Sequence, residues 1–158
     1  MASEQANHLQ RQVVATLGNQ APSEIYCERY MNWSDRPGPL PHPIPAGGVI
    51  DYFDFGLWGA VLYNERRVTC QQKGWLLAWD AREITIGGSY KVYVTCGTKS
   101  EIDNLTEAEI KKSLGESFAE STAADVESRT TANAIIKSLE HNVIPAVASI
   151  IANFGVIA

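Results

Sequence analysis

The sequence predicts an α+β protein, in which an antiparallel, sandwich-like β domain precedes a mostly helical C-terminal segment. All four tryptophans and all six tyrosines lie between Tyr26 and Tyr93, and aromatic side chains favour strands. After Gly97 the chain carries a capping box and apolar residues at helical spacing. We therefore expect an amphipathic helix over residues 1–20, an aromatic-rich β domain over 22–98 and helical structure over 99–158.

The first segment is interpreted as a short amphipathic helix. Leu9, Val13 and Leu17 recur at every fourth residue, and Gly18 and Pro22 follow where such a helix would end. Because the apolar stripe is thin, we favour a helix that packs on the domain over a membrane-active one. The segment has no continuous apolar stretch of the kind found in signal peptides, so the expected location is cytoplasmic.

Three apolar stretches separated by turn residues predict strands of the β domain. The stretch from Gly56 to Tyr63 is interrupted by glycine. The stretch from Gly74 to Trp79 is apolar at nearly every position, as in a strand buried on both faces. From residue 90 to 96 apolar and polar residues alternate. Residues 36–48 contain five prolines, which remove backbone donors and predict an ordered surface loop, partly polyproline II.

A helix is predicted to begin near residue 106. Thr106 and Glu109 have the spacing of a capping box, in which each side chain accepts a hydrogen bond from an otherwise unpaired backbone N–H. Ile110, Leu114 and Phe118 then recur at every fourth residue and would form its buried face.

A second amphipathic helix is predicted over residues 132–158, kinked or restarted at Pro145. Its uncharged end, residues 143–158, is too short at about 1.5 Å per residue to span a bilayer. Packing on the protein's own sheet or on another subunit is favoured, which makes a homo-oligomer the expected state. Insertion into a membrane interface is the alternative. The candidate residues for oligomer or membrane contact are Ile136, Leu139, Val143, Val147, Ile150 and Phe154.

Charge and cysteine content argue against several classes of protein. The net charge is −5 and no basic stripe occurs, so binding to nucleic acid is not expected. The three cysteines are widely spaced, unlike a disulfide framework or a zinc site. Buried reduced thiols are favoured, and a single Cys70–Cys96 bridge is the alternative.

The residues that carry chemistry show no catalytic arrangement. The sequence contains no phosphate-binding loop, no Gly-x-Ser-x-Gly and no His-Glu-x-x-His. Its three histidines lie far apart in the chain. We therefore expect a non-enzymatic protein with no catalytic residues, no metal and no cofactor.

Four residues are candidates for ligand binding. Trp33 lies beside a turn and would form an exposed platform for a sugar, for a choline head group through cation–π attraction, or for a protein partner. Asp80 directly follows an apolar strand, where a carboxylate can bind a cation, a sugar hydroxyl or Arg82; a local turn or salt bridge with Arg82 is favoured. Tyr93 on the alternating strand completes the set.

The order of short motifs within residues 25–97 carries a family resemblance. The motifs are Asn32-Trp33, Pro43-Ile44-Pro45-Ala46-Gly47, Gly59-Ala60-Val61-Leu62-Tyr63, Trp75-Leu76-Leu77-Ala78-Trp79 and Lys91-Val92-Tyr93. This pattern resembles the plant jasmonate-induced proteins. More distantly, it is similar to the actinoporin-like β-sandwich shared by sea-anemone toxins and some fungal lipid-binding lectins.

The resemblance implies a β-sandwich, stress or defence expression in plants, and recognition of a lipid or glycan. Actinoporins carry a Ser-x-Pro step after the strand that matches Trp75–Trp79, whereas this chain has Asp80-Ala81-Arg82 there. The expected function is therefore an oligomeric, stress- or defence-type binding protein for a lipid head group or glycan. The alternatives are a membrane-permeabilising protein and an interaction protein that assembles through its C-terminal helix.

Overall fold

The computed structural model describes residues 12–34, 41–52, 55–66, 71–82, 90–139 and 146–157. These ranges contain nine strands and two short helices. The strands are β1 (Gln12–Asn19), β2 (Ile25–Asn32), β3 (Val49–Tyr52), β4 (Trp58–Glu65), β5 (Lys73–Asp80), β6 (Lys91–Thr98), β7 (Glu120–Asp125), β8 (Thr130–Ser138) and β9 (Ala146–Val156). The helices are α1 (Lys99–Asp103) and α2 (Glu107–Gly115).

The strands form two sheets that pack face to face. The first sheet has the order β3-β1-β9-β8-β7 and the second has the order β2-β4-β5-β6. Paired strands run antiparallel except β1 and β9, which run parallel. One apolar core fills the space between the sheets. A β-sandwich is therefore confirmed, but the predicted α+β class is wrong, because the described residues are mostly strand and contain only two short helices.

Strand β5 is buried on both faces, as its apolar sequence predicts. Trp75, Leu77 and Trp79 belong to the core between the sheets, whereas Leu76 and Ala78 face the outer side of the second sheet. The indole N–H of Trp75 donates a hydrogen bond of 3.0 Å to a backbone carbonyl of β9. This bond satisfies the polar end of a fully buried ring.

The helix α2 begins at the predicted capping box. The Thr106 hydroxyl accepts a 3.1 Å hydrogen bond from the Glu109 backbone N–H, and the Glu109 carboxylate accepts a 3.0 Å bond from the Thr106 backbone N–H. Ile110 and Leu114 are buried, as predicted, but Phe118 lies beyond the helix and is 75% exposed. With α1, this helix covers the outer face of the second sheet. In the part of the chain that the structure describes, no helix is long and apolar enough to cross a membrane.

The prediction of a mostly helical C-terminal segment is wrong. After α2 the described residues form strands β7, β8 and β9 and no further helix. In β9, Ala148, Ile150, Ala152 and Phe154 are buried while Ile151 is 48% exposed, which is the two-residue period of a strand. Alanine occupies half of these buried positions. The remaining large apolar residues, counted alone, imitate helical spacing.

The prediction of an N-terminal helix is also wrong for the part of this segment that the structure describes, because residues 12–19 form strand β1. Val13, Ala15 and Leu17 alternate into the core. Val13 and Leu17 are four residues apart, which fits two periods of a strand as well as one turn of a helix. Ala15 between them supports the strand, because it is buried on the same face at the two-residue period. Leu9 lies outside the described residues.

The thiols of Cys27 and Cys96 are buried. Burial raises the pKa of Cys27 to about 12 and raises the pKa of Cys96 above its usual value. Both thiols therefore stay protonated at neutral pH, and the reactive thiolate is suppressed. Because Cys96 is a free thiol, the alternative Cys70–Cys96 bridge is not formed, and the favoured prediction of a buried, reduced Cys96 is confirmed. Cys70 itself lies outside the described residues.

The two ends of the sandwich carry different side chains. At one end Trp58 is paired with Asp80, and Asp80 with Lys91, while Trp33 follows the last residue of β2. We call this the tryptophan end. At the opposite end β6 leads into α1, and we call this the α1 end.

Candidate functional site

Three of the four predicted ligand-binding residues meet at the tryptophan end. The backbone N–H of Trp33 donates a 3.0 Å hydrogen bond to the carbonyl of Trp58, so Trp33, just after the end of β2, lies beside Trp58, the first residue of β4. Trp58 is paired with Asp80, the last residue of β5. Arg82 follows two residues later. The strand register therefore brings together side chains that are far apart in sequence.

Asp80 and Arg82 form a bidentate ion pair. The Arg82 Nε donates to Asp80 Oδ1 at 3.0 Å and Nη2 donates to Oδ2 at 2.8 Å. The Arg82 backbone N–H also donates to Asp80 Oδ1 at 3.1 Å. The carboxylate thus orients the guanidinium, whose central carbon lies 3.5 Å from the centroid of the Trp58 ring. This geometry matches the predicted local salt bridge and adds a stacked cation to it.

The two tryptophan rings share a second cation. They meet edge to face, with centroids 5.3 Å apart and planes inclined at 61°. The Nζ of Lys111 lies 4.9 Å from the Trp33 centroid and 4.9 Å from the Trp58 centroid. Trp33 is held in place by its indole N–H, which donates a 2.6 Å hydrogen bond to Glu107. Glu107 and Lys111 lie one helical turn apart on α2 and so point the same way.

We call Trp33, Trp58, Arg82 and Lys111 the tryptophan site. Its rings are partly buried and its lysine is exposed. Within the described residues, Lys111 makes no ion pair, and its ammonium lies against the two ring faces. Electron-rich faces that bind one ammonium can bind another cation of similar size. The arrangement therefore suits binding of a cationic group.

The other predicted residues do not join this site. Tyr93 is partly buried on the outer face of the second sheet, opposite Ala78, where it packs against the apolar cluster under α2. The oligomer or membrane candidates lie in different environments. Ile136, Ile150 and Phe154 are buried in the core, and Val147 is partly buried. Leu139 is 38% exposed, and Val143 lies outside the described residues. They do not form one face, and the homo-oligomer stays a prediction.

Sequence reasoning missed Trp58, Glu107 and Lys111. Two signals were present. Glu107 and Lys111 have the spacing of one helical turn within the predicted α2. Trp58 lies near the start of a predicted strand, and antiparallel pairing with the next strand would have placed it beside Asp80. Predicting this neighbour requires the register between the two strands. The sequence of β5 does not fix that register, because the strand is apolar on both faces.

The fold and the site together describe a β-sandwich with an aromatic cluster at one end, against which Arg82 and Lys111 lie. Its backbone is similar to the lipid binding protein Nakanori, with a TM-score of 0.70 and 12% identity over 96% of this chain and 79% of that one. At this identity the likeness is one of fold. A wild-type lectin of Xerocomus chrysenteron, XCL, has a TM-score of 0.45 and 12% identity, covering 90% of this chain and 97% of that one.

A curated relative is similar in sequence. A jasmonate-induced protein homolog from Atriplex canescens is 36% identical over 84 residues, which are 52% of this chain and 45% of the relative. The chain thus spans about half the length of the curated relative it matches. No family model matches the chain. The resemblance to the jasmonate-induced proteins and to the lipid-binding sandwich fold is confirmed.

Proposed function

We propose that this chain is a non-enzymatic binding protein whose tryptophan site recognises the quaternary ammonium of a choline-type lipid head group. One observation supports this most: the rings of Trp33 and Trp58 already hold an ammonium, that of Lys111, at 4.9 Å from both centroids. In the proposed complex the ligand's cation replaces the Lys111 ammonium between the rings.

The geometry favours a cation over a stacked sugar. A sugar ring needs an open aromatic face, but the guanidinium of Arg82 covers one face of Trp58 and Lys111 lies over both rings. A quaternary ammonium needs no hydrogen-bond acceptor and is bound by ring faces alone. Once displaced, Lys111 stays close enough on α2 to donate to the phosphate that neighbours choline in such head groups, because lysine binds phosphate as a mobile point charge.

Two similarities support the proposal. Nakanori, which shares the fold, is described as a lipid binding protein. The Atriplex relative is described as a jasmonate-induced protein homolog, and a stress or defence role of this chain is part of the proposal on that ground. The site itself rests on the contacts of the four residues that form it.

Tryptophan fluorescence tests the proposal directly. Trp75 and Trp79 are buried in the core, so a ligand-dependent change in emission reports on Trp33 and Trp58. We expect phosphocholine and choline to give the same saturable change, inorganic phosphate to give none, and Trp33→Ala to abolish it. Sedimentation with phosphatidylcholine vesicles extends the test to a membrane. A response to phosphate or to sugars but not to choline would contradict the proposal.

The lysine that occupies the site is expected to compete with the ligand. Replacing Lys111 with methionine keeps most of the length of the side chain and removes the ammonium, so we expect the affinity for choline to rise by about two- to fivefold. The matched control is Lys112→Met, on the next residue of the same helix, which should leave the affinity unchanged. Titration of tryptophan emission with choline measures both. A weaker affinity in Lys111→Met would show that this ammonium supports the ligand rather than competing with it.

A further inference from the structure

The α1 end of the sandwich contains a polar cavity that the proposed function does not use. Its volume is about 440 Å³, within the range of about 300–1,000 Å³ typical of small-molecule sites. Gln71 and Gln72 form one wall, and residues 98–100 with Asp103 and Asn104 form the other. The backbone N–H of Lys99 donates a 2.6 Å hydrogen bond to the carbonyl of Gln72 and joins the two walls.

The lining groups select against charged ligands. Every side chain around the cavity is polar, and most are neutral carboxamides or hydroxyls. The Lys99 ammonium is held by two carboxylates, at 2.5 Å from Asp103 and 3.2 Å from Glu28. An anion would therefore meet a neutralised ammonium and two acidic groups. What remains is a set of uncharged donors and acceptors, which fits a neutral ligand rich in hydroxyls.

A buried amide behind the wall supports this assignment. Asn64 is 1% exposed, and its Nδ2 lies 3.4 Å from Asp103 Oδ1. Its Oδ1 has no hydrogen-bond partner among the described residues. The position opposite is Gly74, where a Cβ would lie 2.8 Å from that oxygen. An unpaired buried carbonyl costs free energy of folding, so the Asn64 side chain lowers the stability of the fold. In this position its Nδ2 orients Asp103.

We propose that this cavity is a second binding site, for the ring of a carbohydrate. Carboxylates and carboxamides bind vicinal hydroxyls in pairs, since one group accepts or donates at two adjacent atoms. Asp103, oriented by Lys99 and Asn64, accepts from two hydroxyls of the ring. Asn104 and Gln71, which are exposed, reach the remaining hydroxyls. The site lies at the opposite end from the tryptophan site, so the two ligands bind independently.

The test uses glucose, galactose, mannose and N-acetylglucosamine as probes, each at millimolar concentration against the whole chain. Saturation-transfer NMR is expected to detect at least one of them. We expect Asp103→Ala and Asn104→Ala each to weaken that sugar about tenfold, and the exposed control Asn133→Ala, on β8, to leave it unchanged. Asn104→Ala keeps the ion pair between Lys99 and Asp103, so the test does not depend on the folding of Asp103→Ala.

A further variant separates this site from the tryptophan site. Trp33→Ala should leave the sugar affinity unchanged, whatever it does to choline. Failure of all four sugars to bind the wild-type chain would overturn the proposal, as would equal binding by Asn104→Ala. Loss of sugar binding in Trp33→Ala would place the sugar at the tryptophan site instead.

Discussion

Replacing Ile150 with alanine is expected to lower the free energy of unfolding by about 2–5 kcal/mol, whereas the same change at Ile151 should cost less than about 1 kcal/mol. The two isoleucines are adjacent in β9, but Ile150 is fully buried between the sheets and Ile151 is 48% exposed. Only the first replacement leaves a cavity in the core. Because the two changes are identical chemically, the difference isolates the alternation of the strand.

Urea denaturation of the wild-type chain and both variants measures this difference, and light scattering reports the solution mass. Equal costs at Ile150 and Ile151 would contradict the assignment of β9. A smaller assembly in Ile150→Ala with unchanged stability would instead indicate that this residue lies at an interface between subunits. The experiment thus separates a core strand from the assembly helix that the sequence predicts.

Replacing Trp58 with alanine is expected to weaken choline binding by at least about thirtyfold, which corresponds to the loss of a central aromatic contact of about 2 kcal/mol or more. Trp58 contacts every other member of the tryptophan site: the guanidinium of Arg82, the ring of Trp33 and the ammonium of Lys111. Its removal takes away the ring face on which Arg82 and Lys111 lie and leaves Trp33 without the ring it packs against. Trp58→Phe keeps a smaller ring face and should retain part of the affinity.

A matched control for this experiment lies at the α1 end. There Arg66 lies over the ring of Tyr26, 4.8 Å from its centroid, which is the same kind of contact away from the site. Tyr26→Ala should leave the choline affinity unchanged. Titration of tryptophan emission, with Trp33 as the reporter in Trp58→Ala, measures the affinities. If Tyr26→Ala and Trp58→Ala reduce binding equally, the effect is one of overall stability and the site is not at Trp58.

The aromatic strands and the helix α2 could be predicted from sequence, and the strands that follow α2 could not. β5 and β6 can be predicted because their large apolar residues show the pattern of a strand directly. In β8 the buried positions are Thr130, Ala132, Ala134 and Ile136. Two of them are alanine, which is small, only weakly apolar and favourable in helices. The packing of these strands against the opposite sheet, with Trp75 and Phe154 filling the space that small residues leave, overrides the local preference.

Some residues of the candidate site could be predicted from the sequence, but their arrangement into one site could not. Trp33 could be selected because it lies beside a turn, and Asp80 and its neighbour Arg82 because they follow an apolar strand. Their relation to Trp58 and Lys111 depends on strand register and on the placement of α2 across the outer face. Both are set by contacts between residues distant in sequence, which no local pattern encodes.

The parallel pairing of β1 with β9 has a consequence for synthesis of the chain. Val13 is paired with Ala148 and Leu17 with Ala152, so β1 finds its central neighbour only after β9 has left the ribosome. Until then one long edge of β1 stays open to other chains. Pairings this distant in sequence also slow folding. We therefore expect the nascent chain to depend on chaperones, and expression shortened before residue 146 to give insoluble protein.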